Sequence, residues 1–344
     1  MKNIVCAILY YSGLIKILSF LTRHDAKILL YHSVSDHESP FIKGIWVSSR
    51  TFKKHLSYLS RHYQIISLER LTYCLKEKRI PPYSAVITFD DGCSDNYYSA
   101  YPHLKGSKIP ATIFLSMGSI DNKNPTWVYK LYYLMNQFGV EKIASRIESL
   151  TGMVPGSMLQ GSSNEKGGSK IHDLLAYSMK KECRDKLLSD LYRALGISQE
   201  KFFAENQIFL SWPQIEQMHR DGIDFGNHGE SHTPFSVMAP EEQEKEIVEC
   251  QELLKKKLGS EAIAFAYPYG QPRDYSAVTK EIVKRSGHSC IVTTQQTPNR
   301  YDTSPYELGR IHIGEIPVYR LAFELQKSYL KQLLRRVGLL KADD

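Results

Sequence analysis

An α/β fold with a largely parallel sheet or barrel is predicted for this chain, and three features predict it. Short β-type runs alternate with helical patterns along most of the 344 residues, the order parallel strands need because each must return through a crossover. The polar residues that stand out for chemistry follow those runs directly, at the strand C-termini where parallel folds build their sites. A composition of 42% hydrophobic and 24% charged residues supports a full-sized core in one large domain with an insertion.

The chain opens with MKNIVCAILYYSGLIKILSFLT, apolar from Ile4 to Ile15 until Lys16 interrupts it. A bilayer span needs about 20 apolar residues, so residues 1–26 are read as an amphipathic helix. Lys16, Arg23, His24 and Lys27 flank a face rich in Ile, Leu, Tyr and Phe, which suits either a membrane surface or the protein's own core. No clear small-x-small cleavage site precedes Arg23, which disfavours a signal peptide.

Strands are expected at Lys27–Tyr31, Ser84–Phe89, Ala111–Ser116, around Asp224–Gly226, at Ala262–Tyr267, Ser289–Thr293 and Leu308–Ile313, where apolar and β-branched residues cluster. Helices are expected at Ser48–Tyr63, Trp212–Asp221 and Pro240–Leu258. Residues 119–209 break this rhythm. They open with WVYKLYYLMNQF, pass through the Gly- and Ser-rich GSSNEKGGS at Gly161–Ser169 and continue as a charged helical stretch, read as a helical insertion with a flexible middle that covers the site or shapes substrate choice. Residues 319–344 carry apolar positions at helical spacing with basic residues between them, a C-terminal basic amphipathic helix docked on the fold.

The formal charge of +7 is spread along the chain among 37 acidic residues, and no zinc-finger, helix-turn-helix or aromatic RNA-binding pattern accompanies it, so a nucleic-acid partner is not expected. Cys6, Cys74, Cys93, Cys183, Cys250 and Cys290 form no CxxC pair. Free thiols in a reducing compartment are the simplest reading, and Cys93 beside an acidic pair would be an oxidisable thiol better suited to the cytoplasm.

Three motifs carry the candidate chemistry. In Thr88-Phe89-Asp90-Asp91-Gly92, two adjacent carboxylates at the end of a buried strand repel one another and lose hydration unless a cation compensates them. By itself the triplet reads equally as a turn. In Gly226-Asn227-His228-Gly229-Glu230-Ser231-His232, a helical turn would set both imidazoles on one face. One carboxylate and two imidazoles leave positions open for water, the pattern of a catalytic zinc site. The third, Phe265-Ala266-Tyr267-Pro268-Tyr269-Gly270, ends a strand with aromatic residues of the kind that flank sugar rings; its plainer reading is a strand and a turn.

The order TFDDG, NHGESH, AYPYG resembles the polysaccharide deacetylases, carbohydrate esterase family four, whose catalytic unit is the NodB homology domain. LLYHSVSD at Leu29–Asp36 and FLSWPQIEQMHRDGIDFGNH at Phe209–His228 add to the resemblance, which covers about Lys27–Ser116 and Leu210–Ile313. It implies a distorted (β/α) barrel over residues 27–318 with one metal at its mouth. Asp91, His228 and His232 would be the metal ligands, Asp90 the general base, the backbone N–H of Tyr269 an oxyanion donor and His312 the general acid. The metal would be Zn2+, with Co2+, Ni2+ or Mn2+ as substitutes. Three positions depart from the family pattern. His312 lies outside the usual Leu-x-His spacing. Ala266 stands where many members carry an arginine that orients the catalytic aspartate, a charge Arg310 is expected to supply. Gly229 stands where Ser or Thr commonly follows the first histidine.

The resemblance implies hydrolysis of the N-acetyl group of an amino sugar in a polysaccharide or lipid-linked saccharide. Alternatives are a deformylase of a lipid-linked amino sugar and a non-catalytic sugar-binding protein on the same fold. The expected location is cytoplasmic, peripheral at the inner membrane, with a periplasmic or secreted location left open.

Overall fold

The computed structural model describes residues 2–37, 41, 44–153, 164–260 and 263–336. Ten strands are seen among them: β1 Lys27–Tyr31, β2 Ser33–Val34, β3 Trp46–Val47, β4 Gln64–Ile65, β5 Ser84–Phe89, β6 Thr112–Leu115, β7 Asp224–Asn227, β8 Phe265–Ala266, β9 Ile291–Val292 and β10 Ile311–His312. Eight form one parallel sheet in the order β10-β1-β5-β6-β7-β8-β9, with β4 also on β5, and β2 and β3 pair separately. A parallel bridge joins Val292 of β9 to Leu308, three residues ahead of β10, so the sheet curls into a distorted barrel. All five residues of β1 and all six of β5 are buried, as expected where both faces of a parallel strand are covered.

The helices are α1 Lys2–Tyr11, α2 Leu14–Leu21, α3 Ser49–His62, α4 Leu68–Lys76, α5 Tyr101–Ser107, α6 Trp127–Phe138, α7 Val140–Thr151, α8 Asn164–Tyr177, α9 Lys181–Ala194, α10 Gln199–Glu205, α11 Trp212–Arg220, α12 Pro240–Leu258, α13 Ala277–Arg285 and α14 Val318–Arg336. Local chemistry sets several starts. The Ser48, Ser67 and Ser198 hydroxyls accept N–H groups of the first turns of α3, α4 and α10, satisfying donors a helix leaves orphaned. α12 has Glu241 and Glu242 in its first turn and Lys255–Lys257 in its last, complementing the helix dipole.

α3, α5, α11 and α12 pack Phe52, Leu56, Leu104, Ile215 and Leu254 on the sheet residues Leu29, Ile87 and Ile113. Residues 127–205 build a second core from Trp127, Leu131, Ile143, Leu175, Leu191 and Phe203, joined to the barrel through Cys93 and Phe209. Each fully buried Leu or Ile there contributes roughly 1.5–3 kcal/mol, so this unit has an apolar core of its own.

Two local expectations are corrected. The N-terminal stretch is two helices meeting at 80°, broken at Ser12-Gly13, where Gly13 adopts φ +81°. The Gly-rich segment is not flexible throughout: Asn164–Ser169 begins α8, and Gly168 lies against Met135 and Val140. Gly161–Ser163 lies outside the described residues. The C-terminal helix is described to Arg336, and residues 337–344 also lie outside.

Candidate metal centre and active site

β5 delivers the acidic pair. Along a continuing strand Asp90 and Asp91 would point to opposite faces; instead Asp91 and Gly92 adopt φ +72° and +75°, turning the chain so that both carboxylates serve the barrel mouth. A Cβ on Gly92 would lie 2.7 Å from Leu115 Cδ2, so this turn needs glycine twice over. Asp90 and Asp91 are only 2% and 3% exposed.

Arg310, wholly buried, pairs with Asp90 through two hydrogen bonds, Nη1 to Oδ1 at 2.6 Å and Nη2 to Oδ2 at 2.7 Å, and its Nε donates to the Thr293 carbonyl at 3.0 Å. Burial alone would raise the Asp90 pKa, but the Arg310 guanidinium and the His228 imidazole hold it below the usual carboxylate range. Asp90 is therefore kept ionised.

Asp91, His228 and His232 converge so that one ligand atom from each lies within 4.8 Å of the others. Asp91 Oδ1 is 3.5 Å from His228 Nε2 and 3.1 Å from His232 Nε2, and it is a buried oxygen without a hydrogen-bond partner among the described residues. His228 Nδ1 lies 2.8 Å from the Ala266 carbonyl; donating there leaves the Nε2 lone pair free for a cation. An orphaned carboxylate oxygen facing two imidazole nitrogens fits a divalent metal with open positions. Burial opposes ionisation of Asp91, yet the two histidines hold it well below its ordinary range.

The histidines meet by a different route from the helical turn the spacing suggests. Residues 228–232 form a loop with positive φ at Gly229 (+74°) and His232 (+54°). Glu246 of α12 accepts the N–H groups of Glu230 and Ser231 at 3.1 and 3.2 Å, so a carboxylate performs the role helix bonds would have filled. A side chain at position 229 would meet Phe235 at 3.3 Å in a left-handed conformation, which accounts for glycine here.

Tyr269 also has positive φ, +63°. Its ring packs edge-on against His232 with centroids 4.9 Å apart, and its backbone N–H has no acceptor among the described residues. The neighbouring aromatics are not available to a sugar: Phe265 is fully buried and Tyr267, 1% exposed, stacks on Tyr275 at 4.0 Å. They are core residues, and only Tyr269 of the three reaches the mouth.

His312 ends β10 with a buried Nε2 that has no partner among the described residues. Burial, the neighbouring His32 and Arg310 bring its pKa down to about 4, against the pull of Asp90, so its imidazole is neutral near pH 7. His32, which follows β1, was not singled out by sequence reasoning. Its ring centroid is 5.5 Å from that of His312, and burial lowers its pKa despite Asp91 and Asp90 nearby. Its place in LLYHSVSD, immediately after a buried strand, is the signal that points to it.

Residues 127–205 also contribute to the site, through groups the sequence did not reveal. Tyr129 of α6 donates its hydroxyl to Asp91 Oδ2 at 2.9 Å, and Trp127 donates its indole N–H to the His232 carbonyl at 3.1 Å. Arg184 of α9, 1% exposed, donates to Thr233 Oγ1 at 2.7 Å and lies 4.5 Å over the Trp127 ring. Cys93 is not a reactive thiol: it is 3% exposed, 3.0 Å from the Tyr129 hydroxyl, and burial with nearby Asp95 and Asp91 pushes its pKa well up.

A barrel mouth with one carboxylate and two imidazoles around open coordination space, next to an ionised carboxylate, belongs to the class of metal-dependent hydrolases. The particular family is shown by sequence: the chain belongs to the polysaccharide deacetylases, whose family profile matches residues 77–148 and 178–291, more than half of its length. It is 22% identical over 289 residues to the Bacillus subtilis protein YxkH, 83% of this chain and 71% of that one. A shorter stretch of 84 residues, 24% of this chain and 29% of the relative, is 36% identical to a poly-beta-1,6-N-acetyl-D-glucosamine N-deacetylase of Staphylococcus aureus. The fold is shared with the Streptococcus pyogenes deacetylase PplD, solved with acetate, at TM-score 0.56 and 19% identity over 89% of this chain and 97% of that one. IcaB from Ammonifex degensii gives TM-score 0.55 at 19% identity over 88% and 97%.

Proposed function

We propose that this protein hydrolyses the N-acetyl group of an amino sugar in a polysaccharide or oligosaccharide, with Asp91, His228 and His232 holding one divalent metal, Zn2+ in the first place. The observation that carries the proposal is the convergence at one mouth of the Asp91–His228–His232 donor set, with Asp91 Oδ1 unpartnered among the described residues, beside an Asp90 kept ionised by Arg310. When bound, the metal would lower the pKa of a water and polarise the amide carbonyl.

The chain's own residues supply the rest. Asp90, ionised and fixed by two hydrogen bonds, accepts the proton of the attacking water. The free N–H of Tyr269 is placed to donate to the oxyanion that develops on the acetyl carbonyl. His312, neutral near pH 7, relays to the departing sugar nitrogen the proton that Asp90 has taken from the water, and its low pKa makes the transient imidazolium a strong acid; Asp90 and His312 both end the cycle in their starting states. Tyr129 and Trp127 hold Asp91 and His232 in place. Acetate and a free amine leave.

The partner is an amino-sugar saccharide, with no nucleic acid involved, and the location is the cytoplasmic side of a membrane. The six free cysteines, five of them buried, support a reducing compartment. Acetate release from N-acetylglucosamine oligomers by the metal-loaded protein, with formyl-bearing oligomers in parallel, tests the reaction; release of formate alone would replace acetyl with formyl as the group removed.

A further inference from the structure

The N-terminal helix pair leaves an apolar face uncovered. α1 and α2 dock on α14 with Cys6 and Ile15 buried, whereas Ile4, Ile8, Leu14, Ile17, Phe20 and Leu21 are each between 46% and 65% exposed. Single exposed apolar residues are ordinary, but a continuous run over two helices marks an interaction surface. Among the described residues no single helix is long and apolar enough to cross a bilayer, and the pair is bent by 80°. Because one side of each helix is packed on the protein's own fold, the pair lies across a surface rather than through one.

Two clefts beside this face carry positive charge. One, of about 520 Å3, is lined by Lys16, Arg61 and His62 among tyrosines and contains no acidic residue. The other, of about 640 Å3, carries His24, Arg70, Lys78 and Arg79 with one acid, Glu77. Lys16, Arg61, Arg70, Lys78 and Arg79 are exposed and form no ion pair among the described residues. The clefts adjoin, Pro82 lining one and Tyr83 the other.

We propose that α1, α2 and the two basic clefts form a docking surface for an anionic lipid membrane, the apolar side chains entering the headgroup boundary and the Lys and Arg side chains facing the phosphates. Charge complementarity favours lipid over a second copy of the chain, since two-fold self-pairing would bring each basic cluster close to its like. Tyr83 and Lys27 mark the N-terminal ends of β5 and β1, opposite the mouth formed by Asp90 and His312. A docked protein therefore turns its catalytic mouth away from the lipid, toward saccharide in solution. This inference stands independently of the deacetylase reading.

The test is co-sedimentation of the full chain with vesicles of phosphatidylcholine containing 30% phosphatidylglycerol, beside pure phosphatidylcholine vesicles. Binding to the anionic vesicles at least tenfold above the neutral ones, weakened by salt, is expected. Lys16→Gln with Arg61→Gln should lower it about fivefold per charge removed, and Ile8→Ser with Ile17→Ser and Phe20→Ser should abolish it, all without changing hydrolysis of soluble oligosaccharide. Equal binding to both vesicle types, or none to either, would overturn the proposal. A dimer seen by light scattering and dissolved by Ile17→Ser, without vesicle binding, would assign the face to a second copy instead.

Discussion

Replacing Arg310 by Met isolates the pair that sets the charge of the site. The guanidinium and the Asp90 carboxylate are 0% and 3% exposed and joined by bonds of 2.6 and 2.7 Å. With charge centres roughly 4 Å apart and an effective dielectric constant near 20, their attraction is about 4 kcal/mol. That agrees with the roughly 3–5 kcal/mol lost when one partner of a buried pair is removed. Urea unfolding of the metal-free variant at pH 7 should register a loss of that size. Asp90→Asn combined with Arg310→Met should recover most of it, because no charge is then left buried alone, giving a coupling energy of at least about 2 kcal/mol. In Arg310→Met, burial acts on Asp90 without its main opposing charge, so the acid limb of kcat/KM moves to higher pH and activity at pH 7 falls about 10²–10³-fold. Additive single and double variants, or a stability loss below about 1 kcal/mol with unchanged activity, would refute the role given to Arg310.

Removing the Tyr129 hydroxyl with Tyr129→Phe frees Asp91 Oδ2 and should weaken metal affinity about 10–100-fold, read by competition with a chromogenic chelator; unchanged affinity would make the contact incidental. Gly226→Ala places a methyl 2.4 Å from the Phe114 ring and should cost about 1–3 kcal/mol in chemical denaturation. His288, buried with Nε2 3.1 Å from Asn227 Nδ2, has its pKa lowered to about 4 by burial. A depressed histidine pKa contributes stability that is present above the unfolded value near 6.5 and lost as pH falls through 4. About 3 kcal/mol should therefore disappear between pH 7 and pH 4, and His288→Asn should flatten that part of the stability profile measured by urea titration.

Much of the barrel was legible because buried parallel strands are written as continuous apolar runs. KILLY and SAVITF are buried at every position, and both sit where the sequence placed them. The two-residue strands Ser33–Val34, Trp46–Val47 and Gln64–Ile65 carry too little pattern to be read. The acidic pair and the two histidines could be named from motif order, but the path between His228 and His232 could not. It depends on Glu246, which lies 14 residues beyond His232 and meets the loop only after folding. Tyr129, Trp127 and Arg184 were hidden for the same reason: a helix outside the motif pattern gives no local signal that its aromatic face closes on Asp91 and the His228–Thr233 loop. Glycines at 167 and 168 suggested a loop, and tertiary packing against Met135 kept the helix.

Acetate release from N-acetylglucosamine oligomers by wild type, by chelator-treated wild type re-supplied with Zn2+, and by Asp90→Asn addresses the central claim most directly. The account predicts release by the wild type, its loss on chelation, its return with Zn2+, and a loss of at least about 10²-fold in Asp90→Asn. Release that persists without metal, or in Asp90→Asn at the wild-type rate, would contradict it.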